Sequence, residues 1–198
     1  MKKVAGSIFL LCIITSMAHA QLGLSKGLIG GLNMASIGGS DASTDARTVM
    51  GYAGGVFLEL NIPGPFSIEA EGLYSQKGSK FSGSVVTITD TYTYADIPIL
   101  LKYFFPLPVV KPYLYAGPCY SILLSAKRKT ESTYYSGGET DIKDMMAAND
   151  LGAVVGIGAR FSIVRIDARY TFGLSTVDKN GTLKVYNRLA ALYAGIEF

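Results

Sequence analysis

Glu69 and Glu71 stand two residues apart, a spacing that puts two carboxylates on one face of a strand. Acid–base chemistry at such a pair needs one carboxyl with a raised pKa beside a substrate cleft. Lys102 and Arg169 are expected on the same side, and cations lower carboxylate pKa values. The pair is therefore expected to be structural. Histidine occurs once, at His19, so a Ser-His-Asp arrangement and a His-based metal site both lack their central residue once the leader is removed. Gly152-x-x-x-Gly156-x-Gly158 falls inside a strand with no helix after it, so it offers no phosphate-cradling helix N-terminus. Asp41, Asp45, Glu139, Asp141 and Asp144 are too scattered for a calcium loop. No catalytic, cofactor-binding or metal-binding residue is expected.

The elements that carry these residues begin with an export signal. Lys2 and Lys3 precede an apolar run from Ile8 to Ile14, and Ala18-His19-Ala20 forms a small-residue cleavage site before Gln21. Residues 1–20 are read as a signal peptide, cleaved between Ala20 and Gln21, and 21–198 as one β-barrel domain. Cys12 does not read as a lipidation site, because Leu11 stands where a small residue is expected. Removing the two lysines takes the basic count from 18 to 16 against 15 acids, a net charge of about +1 that predicts no nucleic-acid partner. Cys119 remains alone and makes no intramolecular disulfide. No other segment approaches the roughly 20 apolar residues of a spanning helix. A closed barrel is the remaining way to satisfy every backbone group in a bilayer.

Eight strands are expected over 22–37, 51–62, 66–78, 92–105, 112–127, 150–161, 165–177 and 188–198. Long polar connections (38–50, 79–91, 128–149, 178–187) alternate with short ones (Pro63-Gly64-Pro65, Pro106 to Lys111, Ser162 to Val164). That alternation predicts an all-β, eight-stranded antiparallel up-and-down transmembrane barrel, with long loops outside and short turns in the periplasm. Side-chain alternation assigns the faces. Val56, Leu58, Ile68, Ile97, Ile99, Leu101, Ile157 and Ile166 face lipid, as do Leu192, Ala194, Ile196 and Phe198. The first and fifth strands do not sort. Phe66, Tyr103, Phe105, Tyr113, Phe161 and Phe198 are expected in a girdle at the short turns, and Tyr52, Tyr74, Tyr92 and Tyr94 in one at the outer loops.

The opposite face collects charge. Glu59, Glu69, Glu71, Asp96, Asp167 and Glu197 are expected inside with Lys77, Lys102, Arg160, Arg165 and Arg169. An eight-stranded lumen is just wide enough for side chains to fill, so these groups should pair across it. A soluble lipocalin-like barrel would turn its charges to water instead. Phe198, ending the last apolar face, is read as the assembly signal of a membrane barrel.

The segment Tyr94-Ala95-Asp96-Ile97-Pro98-Ile99-Leu100-Leu101-Lys102-Tyr103 resembles the PorT-like outer-membrane β-barrel family. So do Lys111-Pro112-Tyr113 through Gly117-Pro118, Asp150-Leu151-Gly152, and Asp167-Ala168-Arg169-Tyr170 with Gly173-Leu174. The resemblance implies a small barrel in a Gram-negative outer membrane; separately, the Phe-ended last strand resembles the signal read by the barrel-assembly machinery. PorT itself is associated with a protein-secretion system. The expected role is non-enzymatic and structural, or one of surface interaction, with lipid, lipopolysaccharide and a protein at the outer loops as partners. The alternatives are a narrow pore or small-solute transporter and a secretion accessory. Lys127-Arg128-Lys129, opening the longest loop, suits anionic glycolipid phosphates or simple solvation.

Overall fold

The computed structural model describes residues 23–40, 46–83, 86–132, 135–177 and 184–198. The proposed leader, its cleavage residues Ala20 and Gln21, and Asp41 and Asp45 lie outside them. Among the described residues are nine strands: β1 (Leu24–Gly38), β2 (Ala46–Asn61), β3 (Phe66–Ser82), β4 (Val86–Phe104), β5 (Val110–Ser132), β6 (Tyr135–Asp141), β7 (Asn149–Phe161), β8 (Val164–Gly173) and β9 (Tyr186–Glu197). Eight of them form an antiparallel ring in the order β1-β2-β3-β4-β5-β7-β8-β9. β9 returns to β1, from Gly27↔Glu197 to Gly38↔Tyr186. Among the described residues β6 stands outside the ring and pairs only with β5.

The strands that alternate cleanly in sequence do so in space. Leu58, Ile68, Leu101, Ile157, Ile166 and Leu192 are exposed on the outer wall. Glu59, Glu69, Lys102, Arg165 and Asp167 are buried inside. The two unsorted strands now resolve. On β1, Leu28, Leu32 and Met34 face out while Ile29 and Asn33 face in. On β5, Leu114 and Tyr120 face out while Tyr113, Tyr115 and Cys119 face in.

Three expectations are corrected. Residues 79–91 and 128–149 are not simple loops: β3, β4 and β5 run on through them, the start of β2 stays paired with β3 as far as Ala46↔Phe81, and β6 folds back on β5, raising a sheet beyond the rest of the wall. Threonine, serine and lysine give that sheet no hydrophobic alternation, so its sequence reads as loop. The eighth expected strand boundary also shifts, and the one before it ends at Gly173 rather than 177. Finally, Tyr92, Tyr94 and Tyr113 do not join the girdles. They are 4%, 1% and 1% exposed and point inward, where a phenol can donate to buried carboxylates.

A β-bulge sets the geometry of the raised sheet. Tyr94 pairs with Leu123 but Thr93 pairs with Ser125, so Leu124 is the extra residue. Such an insertion reverses which side chains face out. Below it the even-numbered Leu114, Tyr120, Ile122 and Leu124 face outward; above it the odd-numbered Lys127 and Lys129 do. Arg128 is thereby turned the other way, and its guanidinium grips Asp90 through Nε and one terminal nitrogen, both at 2.7 Å.

Candidate functional site

The inward faces of β2, β3, β4, β7, β8 and β9 bring the expected charges together at the short-turn end. Glu59 and Glu69 are register partners across β2 and β3. Lys102 Nζ, on β4, donates to both, at 3.2 and 2.7 Å. From across the lumen Arg160 donates to Glu59 at 2.6 Å. Its Nε lies 3.2 Å from Glu197, close enough for an ion pair without hydrogen-bond alignment. Arg165 grips Glu69 with both terminal nitrogens, and its guanidinium carbon stands over Phe57, 3.6 Å from the ring centre. Arg169 makes a two-pronged contact with Glu71, at 2.6 and 2.9 Å, and reaches Asp167 at 3.0 Å. Four cations (Lys102, Arg160, Arg165, Arg169) thus meet five carboxylates (Glu59, Glu69, Glu71, Asp167, Glu197).

Asp96 sits apart from this network. It pairs with Lys77 at 2.9 Å one layer higher, where Lys77 also lies 4.5 Å over Tyr94. Lys77 and Arg165 were expected inside and are 4% and 1% exposed.

Of the aromatic lining, the sequence places only Tyr193 on the inner face, through its shared parity with Glu197. Tyr115 donates to Asp167 at 2.6 Å. Tyr193 donates to Asn33 at 2.9 Å and carries Arg169 over its ring at 4.4 Å. Lys102 lies 4.8 Å over Tyr113. For Phe57 the signal was available in parity, since it is two residues from Glu59. Gly156 and Gly158 have a plain packing role, since side chains there would collide with the rings of Tyr115 and Tyr113. Asn33, Asp150, Ser175 and Asn187 were not anticipated either. Asp150 accepts from Ser175 and Asn187, both at 2.7 Å, tying the outer ends of β7 and β9.

A second closure lies toward the raised sheet. Tyr92, Tyr94, Leu123, Ala126 and Ile142 form an apolar cluster with Met146 against it. The segment after β6 crosses the opening: Ile142 N donates to Ala126 O at 2.9 Å, and Ala147 N to Val177 O at 3.0 Å.

Glu69 and Glu71 are each held by an arginine, and no substrate-sized opening adjoins them among the described cavities. Among the described residues no three His, Cys, Asp or Glu side chains gather as a metal site.

Polar groups inside and apolar groups outside invert the order of a soluble barrel, as lipid surroundings require. A family model, the outer membrane protein beta-barrel domain, matches residues 19–179. The chain belongs to that family. Membership indicates the outer membrane as its location, and the apolar wall is the surface that lipid covers. Neisserial surface protein A has a similar crystal structure: 16% identity, TM-score 0.52, with 89% of this chain and 99% of that one covered. Ail, the attachment invasion locus protein of Yersinia pestis, aligns at 17% identity and TM-score 0.49, over 88% of this chain and 98% of that one. At 16% identity the likeness to Neisserial surface protein A is one of fold. No curated protein matches the chain in sequence.

Proposed function

We propose that the protein is a sealed, non-enzymatic outer membrane barrel that works by holding a β-sheet platform above the membrane. The observation that carries this reading is the double closure. The ion-paired layer around Lys102, Arg165 and Arg169 fills one level of the lumen, and the cluster of Tyr92, Leu123 and Ile142 covers another. A barrel filled at two levels has no water column to conduct ions. What it presents instead is the raised part of β3, β4, β5 and β6, on the side expected to face outward because the short turns lie at the other end.

In this reading residues 1–20 direct export and are removed at Ala20–Gln21. Residues 21–198 form the barrel, Phe198 serves the barrel-assembly machinery, and the partners are outer-membrane lipid, lipopolysaccharide and a protein met by the outer sheet. Planar-bilayer recording tests the closure. The expected result is no unitary conductance from purified barrel, and reproducible single channels would refute the sealed reading and favour a narrow pore. The PorT-like assignment is a finer reading, supported by the fourth-strand segment Ile97 to Tyr103. It predicts that deletion reduces export of secreted cargo.

A further inference from the structure

We propose that the outer face of the raised sheet, just beyond the lipid-covered wall, binds the phosphorylated sugar head group of an outer-leaflet glycolipid. The proposal rests on the outward orientation and the lipopolysaccharide partner given above, and adds to them a site and the part of that glycolipid it takes.

Register places the relevant side chains in rungs. Tyr74 pairs with Ala95; next come Gln76, Thr93 and Ser125; then Gly78, Thr91, Lys127 and Asp141; then Lys80, Thr89, Lys129 and Glu139. Successive rungs are two residues, or roughly 7 Å, apart. Along β4 the outward side chains change from Leu101, Ile99 and Ile97 to Thr93, Thr91 and Thr89 with only Ala95 between. The wall therefore turns from hydrocarbon-like to polyhydroxylated within one rung of Tyr74. Tyr74 itself stacks on Tyr52, with ring centres 6.4 Å apart, as a rim aromatic at the membrane interface would.

These rungs line a groove of about 410 Å³, bounded by Tyr74, Gln76, Thr91, Thr93, Lys127 and Glu139 among others. An aromatic face, a row of hydroxyls and an amide are the groups that hold a sugar ring. Ammonium groups one rung further out are placed for its phosphate.

The lysines are available. Lys127 pairs with Glu139 and Lys129 with Glu131, but all four side chains are more than half exposed. Exposed pairs of this kind contribute little stability and yield readily to a better acceptor. A phosphate, with more charge and three acceptor oxygens, is such an acceptor. Both lysine pKa values are raised by these carboxylates, so the ammonium form persists throughout the ordinary pH range. The bulge at Leu124 is what puts Lys127 and Lys129 on this face at all, while sending Arg128 to Asp90.

The test uses full-length barrel in detergent, incubated with lipopolysaccharide and measured by retention after size exclusion and by native mass spectrometry. The triple variant Lys80→Gln/Lys127→Gln/Lys129→Gln should lose retained lipopolysaccharide at least about fivefold, and so should wild type given phosphatase-treated lipopolysaccharide. Thr91→Val/Thr93→Val should weaken retention of both forms. Vesicles of phosphatidylglycerol should not compete. Undiminished retention by the triple variant, or equal competition by phosphatidylglycerol, would overturn the site. Fold is controlled by the heat-modifiable gel shift. Orientation is read separately by labelling Gly138→Cys on cells with an impermeant maleimide. Loss of labelling sinks the platform reading, whereas labelling without glycolipid retention sinks only this site.

Discussion

Replacing Lys102 by Met would test whether the lumen is held by its charges. The ammonium is 1% exposed and lies between Glu59 and Glu69, both fully buried. Methionine keeps the length and apolar character of the stem and removes only the charge and its two hydrogen bonds. An uncompensated buried charge costs about 3–5 kcal/mol. Here neither carboxylate is abandoned, because Glu59 keeps Arg160 and Glu69 keeps Arg165. The loss is then closer to that of one or two hydrogen bonds to a charged group, about 1.5–3 kcal/mol. With no tryptophan in the chain, urea unfolding in micelles is best followed by far-ultraviolet circular dichroism and by gel mobility with and without heating. The midpoint should fall, and Lys102→Met/Glu69→Gln should recover part of the loss by removing one surplus negative charge. An unchanged midpoint in Lys102→Met would show a hydrated lysine and refute the paired lumen.

Other outcomes follow from the wall and the sheet. Phe198, 69% exposed, donates its N–H to Lys26 O at 2.9 Å, sealing β1. Phe198→Asp should lower the amount of heat-modifiable barrel in outer-membrane fractions, and normal levels would contradict an assembly role. In a Cys119→Ser background, Gly138→Cys should label on intact cells and Lys111→Cys should not; reversed labelling would overturn the orientation. Gly138 suits the probe because a side chain there meets open space, whereas Gly64, at φ +97°, would be strained. Deleting Leu124 should turn Arg128 away from Asp90 and lower the unfolding midpoint more than Leu124→Ala does. Equal midpoints would mean that the bulge does not set the facing.

The wall was legible where one face is apolar and the other charged, as along Val56 to Asn61 or Ile97 to Tyr103. It was illegible where glycine or tyrosine falls on both faces, as in β1 and β5. Tyrosine misled for a physical reason: its ring suits a lipid rim and its hydroxyl suits a carboxylate-lined interior, so Tyr92, Tyr94 and Tyr113 fit either place. The interior charges could be sorted by parity alone. Their partners could not, because Arg165 meets Glu69 and Arg169 meets Glu71 only through the closed ring, across 96 and 98 residues of sequence. A one-residue bulge leaves no mark in composition, so the outward turn of Lys127 and Lys129 was invisible.

The seam between β1 and β9 also governs time. Asn33 and Ala191 are register partners, as are Gly27 and Glu197, so the first strand waits for the last before its second edge is covered. Until then every partly assembled form carries two open edges, each a template for the wrong neighbour. Contacts so distant in sequence form slowly. The chain must therefore be shielded throughout its passage to the membrane, and the interval before the seam closes is when it is most open to aggregation and proteolysis.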